Sequence, residues 1–119
     1  MEVYQVDKIN TRKKGIKLEL YVADRLKEIL KDNSIRPTKA SGGGERNTEI
    51  GDINNPKFYI ECKNWDKKSI SFSLKVWNKL CASVPLGSLK IPMYIIEHNS
   101  GERFVLMGLE DFFRILEDK

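Results

Sequence analysis

Histidine is nearly absent from this chain and cysteine is scarce: His98 stands alone, and Cys62 and Cys81 are the two cysteines. Neither cysteine has a second cysteine or a histidine at metal-binding spacing. That excludes a zinc module and leaves both as reduced residues on apolar faces. His98, at a strand end beside a turn, has no paired acid or nucleophile motif and reads as a surface residue. No apolar run approaches the roughly 20 residues needed to cross a bilayer, so no membrane association is expected. The opening stretch MEVYQVDKINTRKKG lacks the apolar core of an export signal, and the expected location is cytoplasmic. The triple glycine Gly42-Gly43-Gly44 lacks a following Gly-Lys-Ser/Thr, which excludes a nucleotide P-loop and a nucleotide cofactor with it. Internal repeats and low-complexity stretches are missing too.

What is present fits one domain spanning residues 1–119, with chain enough for a single hydrophobic core. Hydrophobic residues at 40% and charged residues at 32% are the balance of a globular chain rather than a disordered one. A net charge of +4 is compatible with a polyanionic partner without requiring one.

The informative stretch runs from Ser41 to Lys63, SGGGERNTEIGDINNPKFYIECK. Phe58, Ile60 and Cys62 alternate with Tyr59, Glu61 and Lys63, the period-two pattern of a strand. Side chains two apart share a face, so Glu61 and Lys63 emerge together. Asp52 is expected near the end of the preceding strand, with Asn54-Asn55-Pro56 as the turn between the two. Two carboxylates and an ammonium on one hairpin make a divalent-metal site with a lysine beside it, a set that suits phosphodiester hydrolysis. A Glu-x-Lys tripeptide alone carries little weight, since Glu117-Asp118-Lys119 is a second copy; the strand and the upstream Gly51-Asp52 distinguish the first.

Elsewhere, Met1 to Asn10 has no clear period and reads as a loose arm or an edge strand. Thr11 to Lys31 is expected to be a helix capped by Thr11, with Ile16, Leu20, Ala23, Leu26 and Leu30 on its core stripe. Glu19 falls near the middle of that stripe, where a carboxylate is expensive unless a cation or metal receives it. A short extended segment, Ile35 to Ala40, leads into the glycine loop. Arg12, Lys13 and Lys14 at the helix start, Lys39, Ser41 and Arg46 around the loop, and Lys67 and Lys68 beside Trp65 are the candidate DNA contacts. Ser71 or Ser73 caps a second helix whose apolar stripe is Leu74, Trp77, Leu80, Cys81 and Val84, closed by Pro85 and Gly87. Strands at Ile91 to Glu97 and Arg103 to Met107 follow, then a helix at Leu109 to Leu116. The order α-β-β-β-α-β-β-α predicts an α/β sandwich with a central mixed sheet flanked by helices.

That order, with Glu19, Gly51-Asp52 and Glu61-Cys62-Lys63, resembles the PD-(D/E)xK nuclease superfamily and its restriction-endonuclease-like fold. Within it, Lys14-Gly15, Glu19, the SGGG loop, Asp52 and IECK are similar to archaeal-type Holliday junction resolvases and their phage counterparts. The resemblance implies that Asp52, Glu61 and the backbone carbonyl of Cys62 ligate Mg²⁺, for which Mn²⁺ would substitute. Glu19 would complete the site or hold a metal-bound water. Lys63 would orient or deprotonate the attacking water, or balance charge on the phosphorane. It also implies a homodimer cutting branched DNA, a four-way junction, on opposed strands, in the host cytoplasm if phage-encoded. Leu20 and Lys39 stand where archaeal members often carry arginine, and Gly51 replaces a proline, departures that suit the phage type better. Two other readings are a nickase, restriction-type or DNA-degrading enzyme of the same fold, and a non-catalytic nucleic-acid-binding module.

Overall fold

The computed structural model describes residues 8–38 and 51–118, with side chains from residue 14 onward. Helix α1 (Lys8–Leu30) leads through two short strands, β1 (Arg36–Pro37) and β2 (Ile53–Asn54), into β3 (Phe58–Trp65). Helix α2 (Leu74–Ser83), β4 (Ile91–His98), β5 (Arg103–Leu106) and helix α3 (Leu109–Glu117) complete the chain in the expected order.

The main sheet has the order β3-β4-β5. Strands β3 and β4 are parallel, in register from Phe58 opposite Ile91 to Trp65 opposite His98. A parallel pair needs a crossover, and α2 supplies it. Strand β5 returns antiparallel to β4 through the Asn99–Gly101 turn, where Gly101 takes a φ of 96°. The small antiparallel pair β1-β2 lies beside the free edge of β3, tied to it where the Asp52 N–H donates to the Ile60 carbonyl at 2.8 Å.

One face of the sheet carries the core. Phe58 and Ile60 of β3 and Ile91, Met93 and Ile95 of β4 pack with Leu18, Val22 and Ala23 of α1, joined by Ile35 and Ile53. The alternation that buries these residues turns Tyr59, Glu61, Lys63, Tyr94 and Ile96 to the opposite face, where α2 lies.

Helix α1 starts at Lys8, so residues 8–10 form its first turn rather than an arm, and Thr11 is inside it. Its buried stripe is Leu18, Val22 and Ala23 with Leu26 and Leu30 behind, whereas Ile16 and Leu20 are half exposed. At about 100° per residue, Leu18 lies roughly 200° from Ile16, so the helix is turned from the expected orientation. The cause is apolar residues on most of its circumference, among which the period alone could not choose. Glu19 nonetheless stays inside the buried arc. Strand β1 is shorter than the expected segment from Ile35, whose last residues, 39 and 40, lie outside those described. Ser73 is the N-cap of α2, accepting the Val76 N–H. Of the stripe expected on that helix only Leu80 is buried; Val76, about 200° around the helix from Leu74, faces the sheet beside Tyr94 and Ile96, which leaves Leu74 outward.

Candidate active site

The site forms around the free edge of β3. Asp52 does not end a strand; it immediately precedes β2, and its placement follows from Gly51. Gly51 has a φ of 58°, and a Cβ there would come within 2.8 Å of the Ile60 carbonyl. Proline, fixed near −65°, cannot adopt that conformation, and only glycine lets the chain pass so close to β3. The turn that follows is held by Asn55, which is buried. Its side-chain amide donates to the Ile53 and Phe58 carbonyls, and its oxygen accepts from the Lys57 and Phe58 N–H groups. Asp52 is thereby set so that Oδ2 accepts the Cys62 N–H at 2.8 Å.

A strand residue directs its N–H and C=O to the same edge, so the Cys62 carbonyl faces the Asp52 side as well. The Cys62 thiol packs against the core, and burial, with the neighbouring carboxylates, pushes its pKa strongly up, so it stays protonated. Glu61 projects from the opposite face of β3, and Glu19 approaches from α1. Three carboxylates therefore lie around one strand edge; Glu19 senses Asp52 and Glu61, and Glu61 senses Asp52. Burial, then Asp52 and Glu61, push Glu19 up to about 7. Burial raises Asp52 as well, partly offset by the Cys62 N–H and by Lys63. Glu61 is raised by burial and Asp52, with Lys63 and Lys79 pulling the other way.

Lys63 is exposed and close enough to both Asp52 and Glu61 to act on their charge. Lys79 of α2 was not evident from the sequence. No local motif marks it, and its place beside Glu61 depends on how α2 crosses the sheet. The donor set is all oxygen and carries more negative charge than its cations balance, which suits a hard divalent cation. Among the described residues, no three His, Cys, Asp or Glu side chains stand together in ligating arrangement; the carboxylates are neighbours rather than a closed cage.

The candidate DNA contacts divide. Lys14 donates to Asn99 Oδ1 at 3.2 Å and, with Lys17, His98 and Arg103, lines a cleft of about 330 Å³ at the carboxyl ends of β3 and β4. His98 is more than a surface residue. The Ser100 N–H donates to its Nδ1, which puts the ring proton on Nε2, donated to the Lys67 carbonyl at 2.6 Å. That bond ties the exposed Lys67–Lys68 turn to the same strand ends. The side chains of Arg12 and Lys13, and Lys39, Ser41 and Arg46 altogether, lie outside the described residues.

A family described as "Phage putative PDDEXK endonuclease" matches residues 10–119. No curated protein and no solved structure matches the chain. No helix among the described residues is long and apolar enough to cross a membrane. With Asp52, Glu61 and Lys63 on one strand edge and the family match spanning nearly the whole chain, the protein belongs to the phage PDDEXK endonuclease family, a branch of the PD-(D/E)xK nucleases with a restriction-endonuclease-like α/β fold.

Proposed function

We propose that this endonuclease is a Mg²⁺-dependent, structure-selective DNA enzyme that resolves four-way junctions as a homodimer. The observation that carries the reading is Asp52, held at the free edge of β3 by the Cys62 N–H at 2.8 Å, with Glu61, Glu19 and Lys63 as its charged neighbours. Asp52, Glu61 and the Cys62 carbonyl would hold the cation, with Glu19 behind them. The cation, Mg²⁺ or Mn²⁺, supplies Lewis-acid activation of the phosphodiester when bound. Lys63 shares a face with Glu61, and from there its ammonium orients the attacking water or offsets charge on the phosphate oxygens.

The cleft that holds Lys14 and Lys17, in which Arg103 is paired with Glu97 at 2.9 Å, and the Lys67–Lys68 turn offer lysine cations for the sugar–phosphate backbone. A fold that meets DNA through phosphates reads shape more than sequence, which favours branched DNA over a fixed sequence. A four-way junction has two-fold symmetry and one domain brings one site, so two copies related by a two-fold axis match the substrate. The apolar face of α3 suits that pairing: Leu109 is 62% and Leu116 61% exposed, with Phe112 and Phe113 open between them. The place of action follows from the substrate, the DNA-containing cytoplasm of the host.

The test is cleavage of matched four-way, flap and linear duplex DNAs with Mg²⁺ and with EDTA. The reading expects the junction to be cut fastest and EDTA to stop all cutting. Equal cutting of all three DNAs would leave a nuclease of this family without junction selectivity.

A further inference from the structure

The face of the sheet that carries Glu61 and Lys63 holds a cavity outside the carboxylate cluster. It measures about 170 Å³ and is walled by Lys63, Trp65, Phe72, Val76, Tyr94 and Ile96. The sheet explains its position. Tyr94 stands directly opposite Glu61 in the β3–β4 register, and Ile96 opposite Lys63, so the cavity floor continues the row of residues that presents the site. Its far wall comes from the segment before α2, which brings Phe72, and from Val76 in the first turn of that helix.

Three features narrow the occupant. The walls are mostly three aromatic rings and three aliphatic side chains, Leu106 of β5 being the third, with Ser71 and Ser73 beside them, chemistry that takes a flat apolar surface. Lys63 at the rim supplies a cation within the same space. The volume is below the roughly 300 Å³ of an ordinary small-molecule site, which leaves room for a single ring system rather than a cofactor or a whole nucleotide. Trp65 is also fixed in advance, its indole N–H donating to the Ser69 carbonyl at 2.8 Å, so the ring need not be ordered on binding. A flat ring attached to a phosphate that sits by Lys63 is a nucleotide base.

We propose that this cavity receives one unstacked base of the strand whose phosphate lies at Asp52, Glu61 and Lys63. The inference rests on the reading of that centre as a DNA-cleaving site and deepens it: the preferred DNA has an unpaired or easily unpaired nucleotide next to the cut. Extracting a paired base costs a few kcal/mol, and least where pairing is already lost, so the cavity selects branch points and mismatches over continuous duplex.

Binding in EDTA tests it with two duplexes identical except for one central mismatched pair, measured by fluorescence anisotropy. The wild-type protein should prefer the mismatched duplex about tenfold, the scale of stacking one base on an aromatic wall. Phe72→Ala, which removes a wall, and Val76→Trp, which fills the space, should each bring the ratio close to one. Phe72 is 56% and Val76 45% exposed, so both variants should melt like the wild type. No preference in the wild type, or a ratio unchanged in both variants, overturns the proposal. It is equally overturned if Val76→Trp alters sedimentation while leaving the ratio intact, since the cavity would then be a contact between copies. Cleavage of the same duplexes with Mg²⁺ separates the two readings: cutting with an unchanged ratio sinks the cavity alone, and a tenfold ratio without cutting sinks the nuclease centre alone.

Discussion

At Gly51 and Asn55 the chain is held to a geometry that few other residues could adopt. Gly51→Ala places a Cβ against the Ile60 backbone at a positive φ, so it should cost about 1–3 kcal/mol in urea unfolding and misplace Asp52. Asn55→Ala leaves two carbonyls and two N–H groups without their partner and should cost about 2–4 kcal/mol. Glu19 makes a different prediction. Its folded pKa of about 7 stands above its ordinary 4.5, so the folded state holds the proton more tightly than the unfolded chain. The stability this provides is fully present below about 4.5 and is lost as pH rises through about 7. Asp52 and Glu61, also raised, act in the same direction. Thermal melting in EDTA should therefore fall by a few degrees across that window, on the order of 1–2 kcal/mol after screening of a partly exposed carboxyl. Glu19→Gln should flatten the fall, and Mg²⁺ should reverse it at pH 8. A melting temperature that rises between pH 5 and 7 in EDTA would contradict the cluster.

The elements were legible where the pattern had one solution. The period-two run of Phe58 to Lys63 allowed only one strand, and that period alone put Glu61 and Lys63 on a common face. Helix α1 was legible at its C-terminal end but not in its start or its rotation, because Ile16 and Leu20 are as apolar as Leu18 and Val22, and only the sheet beneath decides between them. Lys79 and the cleft of Lys17, His98 and Arg103 escaped for a related reason. They are assembled from separate elements, and no spacing along the chain records it. Helix α3 carries the prediction at this scale. Its apolar residues are exposed while Ile115 alone of its face packs against the core, so a pairing surface there should respond to polarity. Phe112→Ser with Phe113→Ser should shift sedimentation from dimer to monomer at micromolar concentration without lowering the melting temperature of the monomer. A monomeric wild type would remove the pairing.

Across the whole molecule, on the proposed reading, the carboxylate edge does the chemistry and the basic cleft the gripping of DNA. Removing grip should weaken binding on every DNA alike. Lys14→Ala with Lys17→Ala should lower the slope of log affinity against log salt by about 2, with no change in substrate preference. Paired sites should convert a supercoiled cruciform plasmid to linear product within one binding event, whereas independent sites accumulate open circles first. Removing chemistry should do the reverse and leave binding alone. The most direct measurement is therefore single-turnover cleavage of a four-way junction by wild-type protein, Asp52→Asn and Glu61→Gln, with junction affinity measured beside it. The account predicts that the wild type cuts with Mg²⁺ and not with EDTA, and that both variants bind as tightly but lose cleavage by about a thousandfold or more. Either variant cutting at a rate near wild type would contradict it.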